Sequence, residues 1–333
     1  MANLETTYLG IQLKNPLVAA SSGLTGSPAK IIELAQAGIG AVVLKSVFEE
    51  QINGEVGDML SRSSGSGADY PEADYYIQHY VRNNSLKKHT DLVSEVKRTT
   101  GLPVIASINC VSSAEWPSFA RDLEEAGADA IELNVFHLPV NRNVEAAAVE
   151  KIYTDVLMAV TAVAKIPVSV KIGSHFSNIV GMAEKLKANG ARGLVMFNRF
   201  YEPDIDLEKL ELSASEVLSS PAELRHTLRW VGLVSSQVSH LDLAASTGIH
   251  TGEAVIKQLL AGAAVTQLCS ALYLHGPAII GEMLQELRRF MEKWNFNTVD
   301  DFRGRLSYSK ISDPMLYERS QFMKYYSNRK DQP

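Results

Sequence analysis

Two lysines close short apolar runs: Lys45 ends "AVVLK" and Lys171 ends "VSVK". A lysine at the mouth of a packed structure must meet a negative charge or lie costly and unpaired. Either a bound anion or anionic cofactor supplies that charge, or a neighbouring carboxylate does. The amides Asn109, Asn134 and Asn198 close three further runs and favour the anion. "STGIHTGEAV" (246–255) is a second candidate: it passes through Gly248 into a helix whose first amides are expected to be free, and Ser270 follows the next run. Such a turn suits a phosphate. Its alternative is an ordinary glycine turn with Thr251 as helix cap. "DAIELNVFHLPVN" (129–141) places His137 shortly after Asn134 and asks whether an imidazole belongs to the same site.

The elements that must carry these residues repeat a phrase, a helix ending in a small residue and glycine followed by a short apolar strand. Its copies are "AQAGIGAVVLK", "EEAGADAIELN", "KANGARGLVMFN" and "LLAGAAVTQLCS". Glycine ends each helix in the left-handed conformation, and the apolar run suits a strand covered on both faces of a parallel sheet. "PLVAASS", "PVIASIN", "PVSVKI" and "SHLDLAAST" bring the strands to eight. Helices are predicted at about 28–37, 85–99, 113–126, 145–164, 178–189, 221–231, 251–261 and 277–293. In the third, Trp116, Phe119, Ala120 and Leu123 share a face, and Ser112 with Glu115 resembles a capping box. Eight βα units predict an α/β fold, the (β/α)₈ TIM barrel, and no G-x-G-x-x-G follows any strand. "TTYLG" and "IQLKN" predict a hairpin below the barrel. Residues 48–84 and 199–220 are long connections on the face where barrel enzymes place their sites. On this reading Ser21, Ser22, Lys45, Ser46, Asn109, Asn134, Lys171, Asn198, Thr247, Gly248, Cys269 and Ser270 share that face.

The composition bounds the function. The 333 residues are 46% hydrophobic and 21% charged with net charge −6, which gives no electrostatic footprint for nucleic acid or an anionic membrane. The longest apolar run, "VLMAVTAVA", falls short of the roughly 18 residues of a membrane helix. Cys110 and Cys269 make neither a disulfide framework nor a metal pattern, so no metal is expected. "MANLETTYLG" does not read as a signal peptide, and a cytoplasmic protein is expected.

Together "NPLVAASS", "LKS", "IELN", "VSVKI", "STGIHTGEAVIKQLLAGA", "GPAIIGEMLQEL" and "DFRGRLS" resemble the dihydroorotate dehydrogenase family over about residues 6–310. The resemblance implies a single barrel domain (1–310) that holds flavin mononucleotide (FMN), followed by an extension (311–333) with helical character. It implies that Ser21, Lys45 and Ser46 meet the flavin, that Asn109 and Asn134 line its ring, and that Lys171 stands beside the ring's N1/O2 edge. Reduced flavin carries negative charge there, which a fixed ammonium stabilises. Thr247, Gly248, Cys269 and Ser270 would hold the phosphate. Lys45 would reach the substrate carboxylate. A small-molecule substrate, a homodimer paired through the tyrosine-rich tail (Tyr308, Tyr317, Tyr325, Tyr326) and an electron-transfer partner chain complete the implied set.

The sequence departs from the family at several positions. The family's catalytic base, cysteine or serine, falls on His137, whose free pKa of about 6.5 suits general base catalysis; the alternative is a polar loop residue. Substrate contacts would come from Lys45, Asn134, Asn198, Ser64 and Arg199. Pro139 and Ser64 stand where the family has asparagine, and Arg199 where it has a small hydroxyl. Arg199 suggests a more anionic ligand or else a solvated loop arginine. Thr247 and Cys269 replace glycines. Three functions stay open: hydride transfer between a dihydroorotate-like substrate and flavin N5, a flavin-binding barrel without that turnover acting through a partner, and a flavin-free barrel with a phosphate site.

Overall fold

The computed structural model describes residues 2–48, 71–109, 115–199, 202–214 and 216–318, with side chains from residue 84 onward in the helix Pro71–Thr100. Eight parallel strands close into a barrel: β3 (Leu17–Ala19), β4 (Ala41–Val43), β6 (Val104–Asn109), β7 (Ala130–Asn134), β8 (Val168–Ile172), β9 (Gly193–Met196), β12 (Asp242–Ser246) and β13 (Val265–Leu268). The β4–β6 pairing completes the ring, so the predicted TIM barrel is borne out. β5 (Val47–Phe48) is an added short strand on β6.

Each barrel strand is apolar on both faces because helices cover the outside and side chains fill the inside. The outer layer is one continuous core, into which the helix Trp116–Glu125 buries Trp116, Phe119, Ala120 and Leu123. The inner layer joins Val18, Val43, Ile105, Ala130, Val195, Ala244 and Val265. The hairpin β1 (Thr6–Tyr8) and β2 (Ile11–Leu13) closes its lower end with Tyr8, Leu9 and Leu13. Gly193 lets the hairpin approach, since a Cβ there would stand 2.5 Å from Leu9 Cδ2. Leu9 N–H then donates to Asp242 Oδ2 at 2.7 Å.

Some expectations need correction. Glu115 is itself the N-cap of the helix at Trp116 and makes no side-chain cap bond, so it is not the third residue of a capping box; Ser112 lies outside the described residues. The helix predicted at 85–99 starts at Pro71, where proline's fixed φ and missing donor suit a first turn. Its polar stretch shows no clear apolar period, which is why it reads as loop. The connection after β9 carries a hairpin, β10 (Pro203–Asp206) and β11 (Glu211–Ala214), with Ile205, Leu207, Leu210 and Leu212 exposed. Beyond 294 the chain packs back on the helix Leu224–Gln237: Tyr308 N–H donates to Gly232 O at 3.0 Å, and Tyr317 lies against Gly232. The described part of the extension holds one helical turn, Met315–Glu318, whereas Tyr325 and Tyr326 lie outside the described residues. No helix among the described residues is long and apolar enough to cross a membrane.

Candidate active site

Strand periodicity builds the site in layers. Alternation sends residues 130, 132 and 134 of β7 to one face, and residues 169 and 171 of β8 to the same face. The parallel register sets Glu132 beside Ser169 and Asn134 beside Lys171. Above the apolar plug therefore lies a polar layer, with a wide opening over it.

A cavity of about 580 Å³ occupies the C-terminal mouth of the barrel, a size typical of cofactor sites. Its wall includes Ser21, Lys171, Asn198, Arg199, Ser246, Thr247, Gly248, Gln267, Cys269, Ser270 and Tyr273. Residues far apart in the chain thus meet from β3, β8, β9, β12 and β13.

Lys171 is 7% exposed, and its Nζ lies 3.8 Å from Glu132 Oε1. Glu132 is fully buried and accepts from Gln267 Nε2 at 2.6 Å through its other oxygen. Glu132 Oε1 and Gln267 Oε1 are buried without a hydrogen-bond partner. Both readings of this lysine hold together: it has a carboxylate neighbour, yet 3.8 Å is too long for a hydrogen bond and leaves its donors available. Burial pushes the Cys269 thiol up, against the lowering effect of Lys171 and of a hydrogen bond from Ser22.

Lys45 behaves differently. Its side chain is exposed, runs over Gly26 and is absent from the cavity wall; the helix Pro71–Thr100 brings His89 near it. Its backbone N–H donates to the carbonyl of the buried Thr25 at 3.1 Å. Ser21, Ser46 and Ser107 form a hydroxyl chain across three strands, with Oγ–Oγ distances of 3.0 and 2.7 Å. Ser46 N–H also donates to Ser21 Oγ at 3.0 Å.

Asn198 Nδ2 donates to Asn134 Oδ1 at 2.8 Å. Asn109 ends β6 half-buried and does not line the cavity; Cys110 and Ser64 lie outside the described residues. His137 is half-buried in the loop after β7, away from the cavity wall. Its backbone lies by the Tyr153 hydroxyl, whose pKa burial pushes up to about 12 against a lowering effect of that backbone. His175, lowered first by burial and then by the charge of His137, stacks on Phe176 at 4.7 Å, and Phe176 meets Tyr153 edge-on.

The phosphate end holds more than the sequence suggested. Two of the first amides of the helix Gly252–Ala261 are taken: Thr251 Oγ1 accepts from Ala254 N–H at 3.2 Å, and Glu286 Oε2 accepts from Glu253 N–H at 3.0 Å. Thr251 is thus the cap. Donors gather instead around Ser219. Gly248 N–H donates to Ser219 Oγ at 3.3 Å, Ser219 Oγ donates to Ser270 Oγ at 3.0 Å, and His250 Nε2 lies 3.1 Å from Ser219 Oγ. Gly248 takes φ +78°, and a Cβ there would stand 2.3 Å from Leu224 N. Thr247 also has positive φ and donates from Oγ1 to Phe197 O at 3.1 Å.

Arg199 explains how Ser219 is held. Its guanidinium donates to the carbonyls of Glu216 and Val217, both at 2.8 Å, and pairs with Glu223 at 3.2 Å. It fastens the segment that carries Ser219 while it also lines the cavity. Sequence reasoning missed Ser219, His250, Gln267 and Glu132. The last two carried a signal, since a polar residue inside an apolar strand and in phase with a strand-end residue must face the same interior. Ser219 carried none.

The comparisons agree with this architecture. The family model described as dihydroorotate dehydrogenase matches residues 3–291. The chain is 27% identical over 315 residues to dihydroorotate dehydrogenase B (NAD(+)), catalytic subunit, of Thermoplasma acidophilum, covering 91% of this chain and 99% of that protein. It is 28% identical to the protein of that name from Thermoplasma volcanium, covering 91% and 98%. It is 27% identical over 307 residues to the putative dihydroorotate dehydrogenase A (fumarate) of Aeropyrum pernix, covering 90% and 96%. With a closed parallel barrel, a cavity at its C-terminal mouth and a match spanning nearly the whole chain, this protein belongs to the dihydroorotate dehydrogenase family.

Proposed function

We propose that the chain is an FMN-dependent oxidoreductase that oxidises a dihydroorotate-like CH–CH bond. Family membership makes it an oxidoreductase of this type, and the observation that carries the cofactor reading is Lys171. A nearly buried ammonium, with no hydrogen bond to its carboxylate neighbour, faces a cavity of cofactor size. An electron-rich ring edge is the complementary occupant.

The residues fit the group at the ring end. Lys171, Gln267 and the Asn134–Asn198 pair supply donors there, and Gln267 Oε1 adds an unsatisfied acceptor. At the other end Gly248, Ser270, Ser219 and His250 would hold the phosphate, once Ser219 exchanges its present partners for phosphate oxygens. When bound, FMN supplies a hydride acceptor at N5. The protein's share is positional and acid–base. Asn134 and Asn198 orient the substrate ring and reject analogues that leave their amides unpaired. His137, in the loop that leaves the barrel mouth after β7, would take the substrate proton. The segment fastened by Arg199 keeps water from one side of the cavity.

Two relatives are named catalytic subunits of NAD(+)-linked enzymes. This supports an electron-transfer partner chain here; the homodimer and the cytoplasmic location are part of the same proposal. The experiment is the visible spectrum of the purified protein, followed by anaerobic addition of dihydroorotate. Flavin bands that bleach are expected. A colourless protein that takes up no added FMN would refute the cofactor reading, and bands that persist would refute dihydroorotate as the substrate.

A further inference from the structure

Glu132 has no role in the account so far, yet it is the most completely buried charged side chain near the cavity, at 0% exposure. It sits one layer below Asn134 on β7, in register with Ser169, so the barrel interior surrounds it. Gln267 reaches it from β13 on another side of the barrel and donates to Oε2 at 2.6 Å. Tyr8 approaches from below, where burial and then the charge of Glu132 push its phenol well up, so it stays protonated. The second oxygen, Oε1, has no hydrogen bond and faces Lys171 Nζ at 3.8 Å.

A carboxylate kept only for structure is expected to be fully hydrogen-bonded when buried. This one is clamped through one oxygen and left open toward a cation through the other. The separation is close enough for strong attraction in a low dielectric but too long to consume the ammonium's donors. Gln267 holds the carboxylate from across the barrel through Oε2, the oxygen that does not face Lys171.

We propose that Glu132 is a positioning residue: clamped by Gln267, it fixes Lys171 in the cavity and offsets its charge, setting how strongly the bound flavin attracts electrons. This rests on the flavin reading above. The ammonium favours the reduced, electron-rich ring, and the carboxylate below opposes it. Removing the carboxylate charge therefore raises the flavin's reduction potential.

The test is an anaerobic dye-equilibrium titration of the flavin-loaded protein. In Glu132→Gln the ratio of reduced to oxidised flavin at a fixed ambient potential is expected to rise about tenfold, which is about 30 mV for a two-electron couple. Glu132→Asp keeps the charge but draws it away from Lys171, so a smaller rise of the same sign is expected, and this variant decides alone if the glutamine variant does not fold or hold flavin. A potential that stays put or falls overturns the proposal, including the case where thermal stability drops alone, which marks a purely structural carboxylate. A wild-type protein without flavin strikes instead at the reading beneath it, so the two failures are distinct.

Discussion

Asn198 Nδ2 donates to Asn134 Oδ1 at 2.8 Å, so the ends of β9 and β7 are tied together across β8, the strand that carries Lys171. The pair aligns two amides beside the ammonium. In Asn198→Ala the Asn134 carbonyl oxygen loses its donor, at a cost of about 1–3 kcal/mol. The KM for dihydroorotate is expected to rise about tenfold or more, and the melting temperature to fall by a few degrees. Steady-state kinetics together with thermal melts check both halves.

His137 stands three residues beyond Asn134, in the loop that leaves the barrel mouth. His137→Ala is expected to slow anaerobic flavin reduction about 10²-fold, the usual contribution of a positioned base. Stopped-flow bleaching measures it directly. An unchanged rate removes His137 from the mechanism.

Gly248 is the tightest point of the phosphate end. Alanine there combines a φ of +78° with a Cβ 2.3 Å from a backbone nitrogen that belongs to another segment. The strain alone costs about 1–3 kcal/mol, and the clash pushes Leu224 and the neighbouring Ser219 segment outward. Gly248→Ala is expected to lower the melting temperature and weaken FMN binding together, as read by melts with and without added FMN.

The pH dependence of stability follows from four histidines. His89, His175, His226 and His250 are all held below the usual imidazole value, with burial the largest cause in each. Below about pH 6.5 the unfolded chain takes up these protons more readily than the folded one, so stability is full above that pH and declines as pH falls. Melting temperatures from pH 7.5 to 5 should show the decline, ahead of the carboxylate range. His250→Asn, which keeps a polar group against Ser219, should flatten it; an identical slope would contradict the assignment.

Much of the barrel is legible in the chain because its physics is local. A strand covered on both faces needs an apolar run, and a helix that stops before it needs a glycine, so "EEAGADAIELN" declares both elements. Alternation then says which strand residues share the interior, which is how Asn134 and Lys171 are found without coordinates. The helix from Pro71 is legible only over its second half, where Leu92, Val93 and Val96 enter the core, and the hairpin Pro203–Ala214 is not legible, because its Ile205, Leu207, Leu210 and Leu212 stay exposed.

What the sequence by itself determined is the closed α/β barrel, its strand ends and the chemical types gathered at its mouth. The tertiary structure decided which of those side chains turn inward. It left the Lys45 side chain exposed, kept Lys171 in the cavity over Glu132, and spent two of the first amides of the helix Gly252–Ala261 on Thr251 and Glu286. It also delivered Ser219, bound by Arg199 through its neighbours, to the phosphate end. Backbone pattern is a matter of adjacent residues. The partner of a buried charge or an open amide comes from wherever the chain returns in space, and only packing fixes that.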